Sequence, residues 1–216
     1  MNQPYPISIR QQQLWLSAER AIFWEQEQAL LLSDLHLGKS GHFRKSGIPM
    51  PQELIKNDLH RLVTLIQFFK PRKLLIVGDL FHSHYNLEWD WFHKWVKDLG
   101  TLDWKLIRGN HDILEDKHYE EAGIEVIHGS YELGPFQFTH EAEEPITDRY
   151  LFSGHIHPGV LLKGLGKQSL RFPCFHFGKD MAVLPAFGAF TGSVALEASK
   201  TDKVIAIVEK SLIPVQ

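Results

Sequence analysis

Short apolar runs alternate with amphipathic stretches along the first half of the chain. Ala29–Leu32 stops at Ser33-Asp34, Leu74–Val77 stops at Gly78-Asp79, and Trp104–Ile107 stops at Arg108-Gly109-Asn110. Runs this short, bounded by glycine or polar residues, predict buried strands. Between them, Leu54, Leu59, Leu62, Leu65, Ile66 and Phe69 recur at helical spacing, and Pro71 closes that helix. Trp89 to Leu99 predicts a second helix ended by Gly100, and Ile113 to Ala122 a third stopped by Gly123.

The second half changes character. Ile124–Ile127, Phe136–Thr139, Tyr150–Ser153, Val160–Leu162, Leu170–Phe172 and Val204–Val208 are short strand candidates separated by glycine and proline. Strand–helix units followed by a mostly β half predict an α/β chain of two packed sheets with helices outside. With no linker, repeat or low-complexity tract, residues 1–216 read as one domain.

Composition narrows the picture. An apolar content of 44% over 216 residues suits a sizeable core. The net charge of −3 excludes a broadly basic surface, so any polyanion site must be a local patch. A single cysteine, Cys174, excludes an internal disulfide and fits a reducing cytoplasm. Met1–Arg10 lacks the pattern of a signal peptide, and no apolar run approaches the roughly 20 residues that span a bilayer. The unusual count is thirteen histidines, some of which should be metal ligands.

Three strand ends deliver polar residues in succession: Asp34-Leu35-His36, then Gly78-Asp79, then Gly109-Asn110-His111-Asp112. The C-terminal edge of such strands is where α/β proteins place their sites. His140 follows Phe138-Thr139, and Gly154-His155-Ile156-His157 follows Tyr150–Ser153. The Asp-x-His pattern alone is not informative, since it recurs at Asp58/His60 and Asp116/His118, inside helical stretches where exposed helix faces are expected. The mixed nitrogen and oxygen set, without thiolate, does not suit structural zinc. It exceeds one ion's needs, and two ions about 3.5–4 Å apart sharing an aspartate would use it.

These five ordered motifs resemble those of the calcineurin-like metallophosphoesterase superfamily. Asp34-Leu-His-Leu-Gly-Lys39, Phe43-Arg44, Gly47-Ile48-Pro49, Gly78-Asp-Leu-Phe-His-Ser83, Leu184-Pro-Ala-Phe-Gly188 and Phe190-Thr-Gly192 are similar to a narrower group, the bacterial ligase-associated metallophosphoesterases. The resemblance implies a four-layer αββα sandwich. It implies one metal held by Asp34, His36, Asp79 and His157, and another by Asp79, Asn110, His140 and His155, with Asp79 as the bridge. Manganese is the implied metal, with iron and zinc as alternatives. His111 would be the general acid, with Asp112 orienting it or capping the next helix. His42 departs from any expected pattern.

For the substrate, Lys39, Arg44 and Arg108 are the candidate phosphate contacts, although a strand-end arginine serves equally well as a salt-bridge partner. Phe81 and Tyr85 are candidates to stack a base, or core in the case of Phe81. The resemblance implies phosphodiester cleavage in nucleic acid linked to DNA repair, with DNA ligase and helicase as partners. A phosphoesterase for nucleotides or small esters is the alternative. An inactive interaction scaffold is the third reading, disfavoured by the complete ligand set.

Overall fold

The structure is a computed structural model that describes residues 2–38, 52–100, 102–141, 148–164 and 168–216. The expected contacts Lys39 and Arg44, with His42 and Phe43, lie outside the described residues.

The first sheet runs in spatial order β1 (Tyr5–Ile9), β2 (Gln12–Ser17), β3 (Ala21–Trp24), β4 (Ala29–Leu32), β5 (Lys73–Val77), β6 (Asp103–Ile107) and β7 (Ile124–Ile127). Strands β1 to β4 pair antiparallel, and β4 to β7 pair parallel. Parallel neighbours need crossovers, and α1 (Gln52–Phe69), α2 (Leu87–Asp98) and α3 (Asp116–Glu121) lie in those connections.

The second sheet holds β8 (Ser130–Leu133), β9 (Phe136–Thr139), β10 (Tyr150–Ser153), β11 (Pro158–Lys163), β12 (Ser169–Phe177), β13 (Met181–Val183) and β14 (Val194–Ala195). Its order is β14-β11-β12-β13-β10-β9-β8, with β15 (Lys203–Val208) on β12 and β16 (Ser211–Pro214) on β15.

The two-residue period of strands divides the core. Leu30, Leu32, Leu74 and Ile76 pack with Leu62, Leu65, Trp89, Phe92 and Tyr119 of the helices. Leu31, Leu75, Val77 and Ile107 face the other way and pack with Phe136, Phe138, Phe152 and Phe175 of the second sheet. The expected two-sheet sandwich is therefore present. The three described helices form one layer on the outer face of the first sheet.

Three local outcomes differ from the sequence reading. Strands β1 to β3, β8, β13, β14 and β16 had no assigned element. The β1–β2 hairpin turns on Arg10 and Gln11, both at positive φ (50° and 62°), without the Asn or Gly that normally marks such a turn. The third helix begins at Asp116, not Ile113. Residues 109–113 fold instead into tight turns, Asp112 N–H donating to the Gly109 carbonyl and Ile113 N–H to that of His111. Asp58 is buried rather than on an exposed face, although His60 is exposed as expected.

Candidate metal centre

Strands β4, β5 and β6 of one sheet, and β9 and β10 of the other, end at one place. The backbone ladder continues beyond the strands: Asp34 N–H donates to the Gly78 carbonyl (3.0 Å) and His36 N–H to that of Asp79 (2.9 Å). Gly154 N–H donates to the His140 carbonyl (3.0 Å), coupling the last two motifs in the same way. Asp34, His36, Asp79, His155 and His157 all have left-handed backbones, with φ between 50° and 64°. In Asp34-x-His36 and His155-x-His157 the alternation turns both polar side chains inward.

Two sets of ligand atoms result. Asp34, His36 and His157 form the first; Asp79, His140 and His155 form the second. In the first, His157 Nε2 lies 3.1 Å from Asp34 Oδ1 and 3.5 Å from His36 Nε2. In the second, Asn110 Oδ1 lies 3.1 Å from both His140 Nε2 and His155 Nδ1. Asp79 faces both sets: Oδ1 is 3.4 Å from His140 Nε2, and Oδ2 is 3.8 Å from His36 Nε2. The seven ligand candidates thus lie close together, six of them in the two sets and Asn110 beside the second.

The calcineurin-like phosphoesterase profile matches residues 28–185, a stretch that contains all of these residues. The chain belongs to the calcineurin-like phosphoesterase family. It is a metal-dependent phosphoester hydrolase. The nuclease MPE of Pseudomonas putida is 30% identical, with a TM-score of 0.85 over 98% of this chain and 100% of that one. The protein AQ665 of Aquifex aeolicus is 18% identical, with a TM-score of 0.43 over 64% of this chain and 82% of that one. The phosphoesterase YfcE of E. coli is 14% identical, with a TM-score of 0.46 over 86% and 96%. Among curated proteins, no sequence matches significantly.

The donor set of this family member fits divalent cations. Asp34 Oδ1 is buried and without a hydrogen-bond partner among the described residues, while Oδ2 accepts from the Ser33 hydroxyl and from His155 N–H (3.1 Å). A buried lone pair left unmatched costs about 1–3 kcal/mol, and a cation between Asp34, His36 and His157 removes that cost. His140 makes the complementary point. Its Nδ1 donates to the Val77 carbonyl (3.1 Å), which aims Nε2 at Asp79 and Asn110.

The site is electrostatically hungry for positive charge. Burial opposes protonation of His140, but Asp79 and Asp34 outweigh it and push its pKa up to about 9. Burial likewise raises Asp79, yet His140, His111 N–H and His36 hold it down at about 2.

His36 depends on a residue that the sequence placed only near the site. Its Nδ1 lies 3.2 Å from Nδ1 of His82. For His36 Nε2 to keep a free lone pair, Nδ1 must carry the proton and donate it to His82. His82 also stacks on His111, with centroids 3.9 Å apart. Ser33 is the other residue missed, and its only signal in the sequence is its place before Asp34.

Asp112 turns out differently placed from the expectation, and Arg108 is salt-bridged while lining the same cleft as Asn110 and His140. Asp112 is buried and lies beneath the centre. Its Oδ2 accepts from Asp79 N–H and Gly109 N–H (both 2.9 Å), and its Oδ1 from Phe81 N–H (3.0 Å) and the Tyr119 hydroxyl (3.3 Å). Those bonds occupy the carboxylate with backbone, so its role is to fix two ligand turns rather than to orient His111 or cap α3, whose cap position is Glu115. Burial pushes its pKa up to about 6. Arg108 pairs with Asp116 and donates to the Leu114 carbonyl (2.7 Å).

Of the remaining aromatic candidates, Phe81 is buried against Trp89. Tyr85 is exposed beside His118. His176 pairs with Asp202 (3.1 Å) on β12, in neither ligand set. No described helix is long and apolar enough to cross a membrane.

Proposed function

We propose that this protein is a manganese-dependent phosphodiesterase that cleaves nucleic acid in DNA repair, as a ligase-associated metallophosphoesterase of the bacterial cytoplasm. The observation that carries the reading is likeness over the whole of both chains to the Pseudomonas putida nuclease, at 30% identity, joined to a complete double ligand set. A DNA ligase and a helicase are the expected partners in that setting.

Asp34, His36, Asp79 and His157 would hold one ion, and Asp79, Asn110, His140 and His155 the other. When bound, the two ions supply charge neutralisation at the phosphate and an activated water. The chain's own residues do the rest. Asp79 presents one oxygen to each ligand set, which keeps the pair in register. His111 is pinned by its backbone N–H on Asp79 Oδ1 (2.9 Å) and by the stacked His82 ring. Its imidazole is the proton donor to the leaving oxygen, work worth typically about 10²–10⁴-fold. Asp112 keeps the Asp79 and Gly109 turns at fixed spacing.

The experiment is cleavage of a single-stranded DNA oligonucleotide and of bis(p-nitrophenyl) phosphate by protein loaded with manganese, zinc or iron, beside Asp79→Ala. Both substrates should be cleaved, best with manganese, and the variant should be inactive. Diester turnover without DNA cleavage would replace the reading with a small-molecule phosphoesterase. Inactivity with every metal would favour a scaffold.

A further inference from the structure

A cleft of about 420 Å³ with several polar and charged side chains in its lining opens beside the second ligand set. It lies where the chain leaves β7, the edge of the first sheet, and enters β8, the edge of the second. Asn110 and His140 line it together with Arg108, His128, Ser130 and Glu141. We propose that this cleft is a nucleotide subsite, which holds the nucleoside and flanking phosphate next to the scissile bond. The inference rests on the nucleic-acid reading above and deepens it.

Continuity is the first argument. Asn110 and His140 belong both to the ligand set and to the cleft wall, so a substrate chain with one phosphate at the metals runs directly into the cleft. Size is the second. The volume lies in the range of about 300–1,000 Å³ typical of small-molecule sites, enough for one nucleotide.

The third argument is chemical. Asp116 sits between two basic side chains, pairing with Arg108 and accepting from His128 Nε2 at 2.7 Å. Together with the Leu114 carbonyl it fixes the Arg108 guanidinium, whose planar fork carries five N–H donors, more than these two contacts use. His128 and Ser130 are exposed and add polar groups on the same wall. Glu141 stands among them as an acceptor and a negative charge. That lining suits a nucleoside with one phosphate and opposes a polyphosphate, which separates a nucleic-acid strand from a free nucleoside triphosphate.

The test uses the full manganese-loaded chain with a thymidine oligonucleotide and with bis(p-nitrophenyl) phosphate, which is too short to reach along the cleft. Ser130→Trp fills the cleft from an exposed position at the start of an edge strand. Its KM for the oligonucleotide should rise about tenfold, a loss of about 1.4 kcal/mol, with diester turnover within about twofold of wild type. Arg108→Gln should raise the oligonucleotide KM several-fold and flatten its salt dependence. An unchanged oligonucleotide KM in Ser130→Trp overturns the subsite. Equal losses on both substrates also overturn it, because the wall then supports only the metal centre. A wild-type protein that hydrolyses the diester but leaves the oligonucleotide intact sinks the nucleic-acid reading itself, a result separate from either variant's.

Discussion

Five of the seven ligand candidates sit at positive φ, where a side chain other than glycine costs about 1–3 kcal/mol. The sequence carries the chemistry of these residues but not their strain. What holds them is invisible from a motif: a Cβ on Gly154 would collide with the Ser33 hydroxyl and reach 2.8 Å from Asp34 Oδ2, so this glycine is required by close approach. Asp112 shows the limit of adjacency as an argument. It follows His111 and looks catalytic, yet its carboxylate accepts hydrogen bonds from three backbone amides under the site. Asp112→Asn places an amide group against those N–H donors. It should destabilise the metal-free protein by about 3 kcal/mol, the usual cost of breaking a buried charged hydrogen-bond set, as read from urea unfolding. An unchanged midpoint would show that the carboxylate is dispensable.

At the scale of elements, the buried apolar strands and the amphipathic helices were legible, whereas short, half-exposed strands such as β8 and the hairpins closed by long side chains were not. Gly100 ends α2 at φ 74°, as its residue type signals, whereas the Asn86 cap (Oδ1 2.8 Å from Glu88 N–H) starts the helix at Leu87, two residues before the expected Trp89. Strands β1 to β3 turn on Arg10, Gln11 and Arg20, which give no such signal. The same opacity hides a brace behind the first ligand set. Arg61 of α1 donates to Glu19 (2.7 Å), Asp58 (2.7 Å) and the Phe187 carbonyl (2.9 Å), and Asp58 accepts from Ala189 N–H (3.1 Å). That segment in turn donates from Phe187 N–H to the Ser33 carbonyl (2.7 Å) and from Gly188 N–H to that of Asp34 (3.0 Å). Arg61→Ala should therefore weaken the Asp34 site for manganese by about 10–100-fold, as loss of an outer support does. The Asp79–His140–His155 set should hold its affinity. Calorimetric titration separates the two, and equal weakening of both sites would argue against a brace specific to Asp34.

On the scale of the whole molecule, the two sheets meet through apolar side chains but are joined at the site by ligands: β4, β5 and β6 contribute one side, β9 and β10 the other. Cation binding is therefore a link between layers as well as a catalytic requirement. The link carries a thermodynamic consequence, because a ligand that binds the folded state alone stabilises it by RT ln(1 + [L]/Kd), about 2.7 kcal/mol per site at a hundred times Kd. For a chain of this length each kcal/mol is worth about 2–4 °C in Tm. Saturating manganese should therefore raise Tm by about 5–10 °C per occupied site, and EDTA should reverse the gain. Asp79 offers an oxygen to each set, so Asp79→Ala should lose the response of both sites. Asn110→Ala touches the second set alone and should keep the first site's share. A full manganese response in Asp79→Ala would mean that the two sets bind independently and that Asp79 does not bridge them.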